Sequence, residues 1–516
     1  MNNLVWNESE LKTLAELLTP DEKAFLENDV AHTRAAQKQE AHRPTYHFSA
    51  AHGRLNDPNG LCYWKGYWHL FYQNNPGDAW MWGHAVSKDL LHWKDLPRAI
   101  LPGVEKECWS GMVIVEEDRA IAAYFGLGAG IMIATSNDPL LVRWEKVNGG
   151  NPIIPLTSPD GKQKYMAFDP CIWKNGDKYN LISGKFTMNE HSKTRERQGY
   201  LFESEDLVNW ELIGTLLEND LFAYPDDDLA CPYFLPCGGR HLLMHFSHHS
   251  GPKMIVGDYD AERNKFVVTG GRHLTSTNSH HGGLLAPAAF PDISGNGTLK
   301  TIFNVCHVAN PPFDYQVMSL PRNVYLSGKD NNDINIEPAE QLELLRVPDS
   351  YTEQTGIVLK ANEAYEPEVR GDTLEIIAEF EAKNVPVIEI KVMASEDNSE
   401  YTALRVFRQR GFTHLPAFAK DFTYRKAHET VVQLDTTFSS LKANVRIPDE
   451  QAFWIAPEEK LNVRIFLDKT IVEVFVNGKA AMAAKISPEK NAGRIIITSR
   501  GEDLVMNKLE TYEMKL

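Results

Sequence analysis

Three segments of the chain end alike: SKDLLHW closes at Trp93, SNDPLLVRW at Trp144 and SEDLVNW at Trp210. Each carries a Ser-x-Asp turn signal and then a tryptophan that opens a strand-like run. The unit recurs about every 50–65 residues. From about His47 onward, short runs rich in Val, Ile, Tyr, Phe and Trp alternate with Asn, Asp, Gly and Pro, the texture of many short strands. A single small sheet cannot bury its apolar faces alone. Stacking several as blades of a β-propeller is the economical solution, and it predicts a propeller over residues 46–340. Ser-x-Asp turns are common by themselves, so the shared terminal tryptophan carries the inference.

The flanks read differently. Residues 1–45 are predicted to form a helical arm. Asn7 with Glu10 and Thr19 with Glu22 fit capping boxes, Pro20 sits at a first helical position, and Leu11, Leu14 and Leu18 give one apolar face. The arm is expected to pack on the body of the protein; a homodimer contact is the alternative. The polar stretch SGKDNNDINIEPAEQ (327–341) reads as a linker. Beyond it, long alternating strands follow. Ile388, Ile390 and Val392 share one face, and Leu461, Val463, Ile465 and Leu467 share another before Asp468-Lys469-Thr470 turns the chain into IVEVFVNG. That is an antiparallel hairpin of the β-sandwich kind, so residues 341–516 are expected to be a β-sandwich domain. The whole is all-β: a propeller, then a sandwich, with a short helical N-terminal arm.

A formal charge of −17 disfavours nucleic acid and anionic membranes as partners. No apolar stretch of about 20 residues suggests a span. The opening MNNLVWNESELKTL lacks the basic and apolar regions of a signal peptide. The six scattered cysteines form no CxxC pair and read as reduced thiols, so the expectation is a cytoplasmic protein.

Candidate chemistry concentrates before residue 341, because the later part holds no cysteine and only one of eleven tryptophans, Trp454. HGRLNDPNGLCYW (52–64) surrounds one carboxylate, Asp57, with turn residues that could hold it rigidly at a strand head; an ordinary Asx turn is the plainer reading. Gln73, Asn74, Asn75, Trp80, Trp82 and His84 follow closely, and ECWSG adds Trp109 and Ser110. Amides and indoles at this density suit a polar, stacked ligand such as a sugar. AFDPCIW supplies a second Asp-Pro, at Asp169, again at a strand start. The histidines of HLLMHFSHH (241–249) could form a metal site but read better as ordinary blade residues, and no metal ligands are assigned.

Taken together these motifs resemble glycoside hydrolase family 32, the invertases, levanases, inulinases and related fructosyltransferases. RPTYHFSAAHGRLNDPNG is similar to the family's opening motif. FYQNNP, WGHAVSKDLLHW, WSG and LPR follow in family order, and IFLDKTIVEVFVNG resembles the hallmark hairpin of its C-terminal sandwich. The resemblance implies a five-bladed propeller with that sandwich attached, in agreement with the reading from the repeats. It also implies a retaining β-fructofuranosidase, acting on a small or oligomeric fructoside of the sucrose, fructo-oligosaccharide or fructan type and needing no cofactor. Asp57 matches the family's nucleophile and Asp169 its transition-state stabiliser. In the family logic, one carboxylate attacks the anomeric carbon while a protonated carboxyl about 5–5.5 Å away donates to the leaving oxygen and then activates water. Asn56, Gln73, Trp82, Trp109 and Ser110 are placed in the pocket by the resemblance and by their chemistry.

The chain departs from the family at the first shell. The general acid/base Glu directly before Cys-Pro is Ala230 here, the Arg before Asp169 is Phe168, and Arg54-Leu55 replaces an aromatic and a small apolar residue. Leu285 and Ala288 likewise replace an expected Tyr and Gln. Attention then falls on Asp226, Asp227 and Asp228. In an extended segment Asp228 shares a face with position 230, about 6.5 Å back along the strand, while Asp227 points away. Asp228 is therefore the candidate displaced acid/base, against the alternative of a solvated acidic turn. Two rival readings stay open: another furanosidase or a fructosyltransferase on the same fold, and a sugar-binding protein that has lost catalysis.

Overall fold

The computed structural model describes residues 7–162, 164–185, 190–191, 193, 199–224, 227–275, 283–306, 315–383, 385–408, 428–442, 448–456 and 458–516. Five separate antiparallel-type sheets run from Arg54 to Pro338, each of four or five strands. Their innermost strands are Arg54–Trp64, Cys108–Val115, Ala167–Asn175, Ala230–Cys237 and Gly283–Pro291, and neighbours touch around a closed ring. This is the five-bladed propeller. The repeat that announced it is one device used three times. Asp89, Asp138 and Asp206 each accept backbone N–H bonds at the turn from the third to the fourth strand of a blade. Leu90, Leu141 and Leu207 each adopt a positive φ there. The indoles of Trp144 and Trp210 close the turn on the carbonyls of Leu141 and Leu207.

The polar stretch 327–341 is not a linker. Asp333–Pro338 pairs with Arg322–Ser327 as the outermost strand of the fifth blade, with a turn at Lys329–Asn331. Its composition misleads because Asp333 and Glu337 face solvent while Ile334, Asn335 and Ile336 are buried between them.

Two six-stranded sheets between Thr352 and Glu513 form the sandwich. The hairpin Leu461–Asp468 with Ile471–Val476 is the one expected from the alternation. Ile465, Leu467, Val472 and Val474 point into the sandwich core. Phe466, Ile471 and Phe475 belong to the propeller core instead. One ribbon thus serves two cores, which explains why it is apolar on both faces.

At the same seam, the opening motif and the hairpin motif meet. Asp468 accepts the backbone N–H groups of Thr45, Tyr46 and His47 and the His47 Nδ1–H at 2.8 Å. Glu473 takes His47 Nε2 at 3.2 Å and the Arg322 guanidinium at 2.8 Å. All four ionisable side chains are fully buried.

The arm has both capping boxes, at Asn7–Glu10 and Thr19–Glu22. It lies on the first two blades. Leu14 and Leu18 pack with Val86, Leu96, Leu140 and Val142, and Arg34 holds Asp95 with two bonds of 2.7 and 2.8 Å. Leu11 remains half exposed rather than completing the apolar face.

Candidate active site

All five innermost strands break register near their beginnings: at Leu55–Leu61, Cys108–Gly111, Phe168–Pro170, Ala230–Tyr233 and Leu284–Pro287. A bulge re-aims the side chains beside it. Five bulges at one end of a ring of strands turn side chains from different blades toward one place. Asn-Asp-Pro-Asn-Gly is therefore part of a bulged strand rather than a turn. Gly60, with φ of 121°, is required because a Cβ there would come within 2.7 Å of Val113 on the next blade. Asp169 and Cys231 sit at their bulges with φ of 45° and 46°, conformations that cost a non-glycine residue of order 1–3 kcal/mol and are commonest at functional sites.

The two carboxylates come together through Cys231. Its Sγ lies 3.6 Å from Asp57 Oδ2 and 3.4 Å from Asp169 Oδ2, and its backbone N–H donates to Asp169 at 3.2 Å. Ser110 Oγ donates to Asp57 Oδ2 at 2.6 Å, and Gln73 Nε2 reaches the same oxygen at 3.4 Å. Asn56 steadies Gln73 by donating to its Oε1 at 3.0 Å, and Asn304 in turn donates to Asn56. Asp57 keeps partial exposure, and Asp169 is nearly buried.

The electrostatics separate the pair. Burial raises the Asp57 pKa, and the Ser110 hydrogen bond and the charge of His248 oppose that rise. Burial and the nearby charge of Asp57 push Asp169 much further, well above the usual carboxylate range. The two carboxylates therefore titrate as one unit, with Asp57 the member held by the Ser110 hydrogen bond. This predicts a stability effect. A carboxyl whose folded pKa is raised costs nothing below its unfolded pKa, and its cost grows as pH climbs toward the folded value. Asp169→Asn is expected to raise stability by about 1–2 kcal/mol at pH 8, with the gain vanishing near pH 4. Thermal melts across that range check it; a gain independent of pH would contradict it.

Not every expected residue lines the pocket. Trp82 is completely buried, packed at a tilt against Phe71 and Tyr124, with its indole N–H on the Trp109 carbonyl at 2.8 Å. It supports the site from behind. Phe168 is buried against Gly184, where a Cβ would come within 2.5 Å of its ring, so it fills core rather than facing a ligand. Ala230 has no exposed surface. Trp109 is partly exposed and donates to Glu107 at 2.6 Å. On the far side of Asn56, Arg54, Trp80, Tyr315, Gln316 and the arm's Arg43 line a cavity of about 340 Å³.

Asp228 is also fully buried, and so not a free acid in the pocket. Its Oδ2 lies 2.7 Å from His248 Nδ1, and its Oδ1 accepts the His248 backbone N–H. Asp227 is spoken for as well: Lys253 Nζ lies 3.0 Å from its Oδ1 and the Tyr224 N–H donates to it. Burial would raise its pKa, but the Lys253 charge holds it below the usual range. Asp226 lies outside the described residues. The histidines expected to be ordinary blade residues go separate ways. His241 stacks on Phe234, His245 is buried beside the Phe246 carbonyl, and His248 is half exposed. Cys231 and His248 are the site residues that sequence reasoning missed.

Residues 47–338 match the model of the glycosyl hydrolases family 32 N-terminal domain, and residues 341–513 that of the glycosyl hydrolases family 32 C terminal. The beta-fructofuranosidase insoluble isoenzyme 1 of Daucus carota is 26% identical over 566 residues, covering 93% of this chain and 90% of that one. Among solved structures, fructan 1-exohydrolase IIa from Cichorium intybus in complex with 1-kestose superposes with a TM-score of 0.75 at 21% identity, over 92% of this chain and 98% of that one. A Bombyx mori GH32 beta-fructofuranosidase mutant in complex with sucrose superposes with a TM-score of 0.67 at 23% identity, over 99% of each chain. At these identities the superpositions establish the shared propeller and sandwich.

Proposed function

The chain belongs to glycosyl hydrolases family 32 and is a glycosidase, and from that premise we propose that it hydrolyses a β-fructofuranoside by a retaining double displacement with Asp57 as nucleophile. The observation that carries this reading is the carboxylate pair: Asp57 partly exposed and aimed by Ser110 and Gln73, with Asp169 brought beside it through Cys231. A nucleophile must be reachable and held in position, and Asp57 is both. The second carboxylate, which meets the first through Cys231, can bind sugar hydroxyls and strengthen that hold as positive charge develops at the anomeric carbon.

Sucrose and 1-kestose are the first substrates to test, because family relatives have been captured with them. The cavity beyond Asn56 gives room for the rest of the substrate. A reducing compartment belongs to the same proposal, supported by the free, buried cysteines among the described residues. The experiment is a screen of sucrose, 1-kestose, inulin and levan with the protein beside its Asp57→Asn variant. Fructose release that depends on Asp57 supports the reading. Binding without turnover on every substrate would replace it with the sugar-binding alternative, which the sealed methyl of Ala230 favours.

A further inference from the structure

A retaining hydrolysis needs a proton donor at the leaving oxygen, and Ala230 cannot supply one. We propose that His248, oriented by the buried carboxylate of Asp228, is the general acid/base of this protein. The inference rests on the fructosidase reading above.

The geometry is that of a histidine held for proton transfer. The strand Ala230–Cys237 pairs antiparallel with Arg240–Phe246, with Ala230 opposite Phe246. Two residues ahead of the first strand, Asp228 meets His248, two residues past the end of the second. Asp228 holds the ring through Nδ1 at 2.7 Å and the backbone of the same residue through its other oxygen. Two bonds from one buried carboxylate to one residue fix the imidazole and its tautomer, as in other carboxylate–histidine pairs. Phe246 supports the ring edge-on with centroids 5.2 Å apart. With Nδ1 committed, Nε2 is the nitrogen free to exchange a proton. The ring is half exposed, whereas Asp228 is not exposed at all.

The charged groups that act on His248 are Asp228, just ahead of the strand Ala230–Cys237, Asp169 of the third blade and Asp57 of the first. Burial opposes a charge on the ring, but the Asp228 bond and these three carboxylates outweigh it, so its pKa lies above the ordinary imidazole value. The positive charge of His248 in turn acts on both Asp57 and Asp169.

The step balances. An Asp57 oxygen bonds to the anomeric carbon as the bond to the leaving oxygen breaks, and the Nε2 proton passes to that oxygen. Nε2 then takes a proton from water. The water oxygen bonds to the anomeric carbon, fructose leaves, and Asp57 and the imidazolium are restored. His248 is the catalytic residue; Asp228 is a positioning residue.

The test compares wild type, His248→Ala, Asp228→Asn and Asp57→Asn on sucrose and on an aryl β-fructofuranoside whose acidic phenol leaves without protonation. His248→Ala is expected to lose about 10²–10⁴-fold on sucrose. It should form the covalent intermediate on the aryl fructoside nearly as fast as wild type, which also shows that the variant is folded. Added azide should then speed its turnover and yield a fructosyl azide, since azide needs no base. Asp228→Asn should move the basic limb of the kcat/KM profile to lower pH, because it removes the charge that supports the imidazolium. Equal losses of His248→Ala on both substrates, or an unchanged sucrose rate and pH profile, would overturn the proposal. In that case an inactive Asp57→Asn would still leave the fructosidase reading standing. A wild type without turnover overturns both.

Discussion

Asp57→Asn is expected to lower kcat on a fructoside by about 10⁴-fold or more, the scale on which removal of a covalent nucleophile acts. The amide is isosteric and can still accept from Ser110, so the fold and the Gln73–Ser110–Asn56 network should persist. KM should change little, because the loss falls on a bond made only after binding. A second readout follows from the pair. The charge of Asp57 helps hold the Asp169 pKa up, so neutralising it should lower the Asp169 pKa and shrink the stability gained from Asp169→Asn at pH 8. A modest rate loss with an unchanged Asp169 would mean that the two carboxylates do not act as one unit. Kinetics on sucrose and paired thermal melts check both halves.

Glu473→Gln is expected to be the most destabilising single change at the seam between propeller and sandwich, by about 3–5 kcal/mol. Glu473 is fully buried and neutralises two cations at once, Arg322 and His47. Arg322 also lies over the rings of Phe303 and Phe475, which do not replace a carboxylate. The pH dependence is specific. Burial opposes a charge on His47, but the bonds to Asp468 and Glu473 prevail and raise its pKa from 6.5 to about 9. A raised histidine pKa stabilises the fold fully below 6.5, and that support drains away as pH climbs through about 9. A rise of this size is worth about 3 kcal/mol in all. Wild type should therefore lose stability between pH 6.5 and 9.5, and Glu473→Gln should lose less across the same window from a lower start. Denaturant melts measure it; parallel curves would contradict the role given to Glu473.

The seam also shows how sequence signals and structure relate. Thr45-Tyr46-His47 and Asp468…Glu473 were each legible as motifs, yet nothing in the chain announces that residues more than four hundred positions apart bind each other. The blades were legible because their turns repeat a local device, an Asp accepting backbone N–H groups just ahead of it. The carboxylate pair was legible through its Asp-Pro motifs. What failed was extrapolation by simple alternation. Trp82 looked like a sugar platform, but both faces of a blade are covered by neighbours, so an aromatic there is core. Phe168 precedes a bulge that turns Asp169, not Phe168, toward the pocket. Asp228 was placed facing the pocket by counting in twos from Ala230, but Leu229 and Cys231 both adopt positive φ and break that count. Its true partner comes from the next strand. Read alone, HLLMHFSHH offers several equivalent histidines, and only the strand ending at Phe246 singles out His248.

Ala230 changes meaning accordingly. A vacant acid/base position would be refilled by Ala230→Glu, but the methyl has no exposed surface, so a carboxylate there would be crowded and desolvated. The proton donor comes instead from just past the neighbouring strand, at His248.

The central claim, retention through a covalent bond to Asp57, is tested most directly by running turnover of sucrose in methanol-containing buffer and assigning the methyl fructofuranoside by NMR. This product does not mutarotate. Double displacement at Asp57 predicts methyl β-fructofuranoside; the α anomer would contradict it.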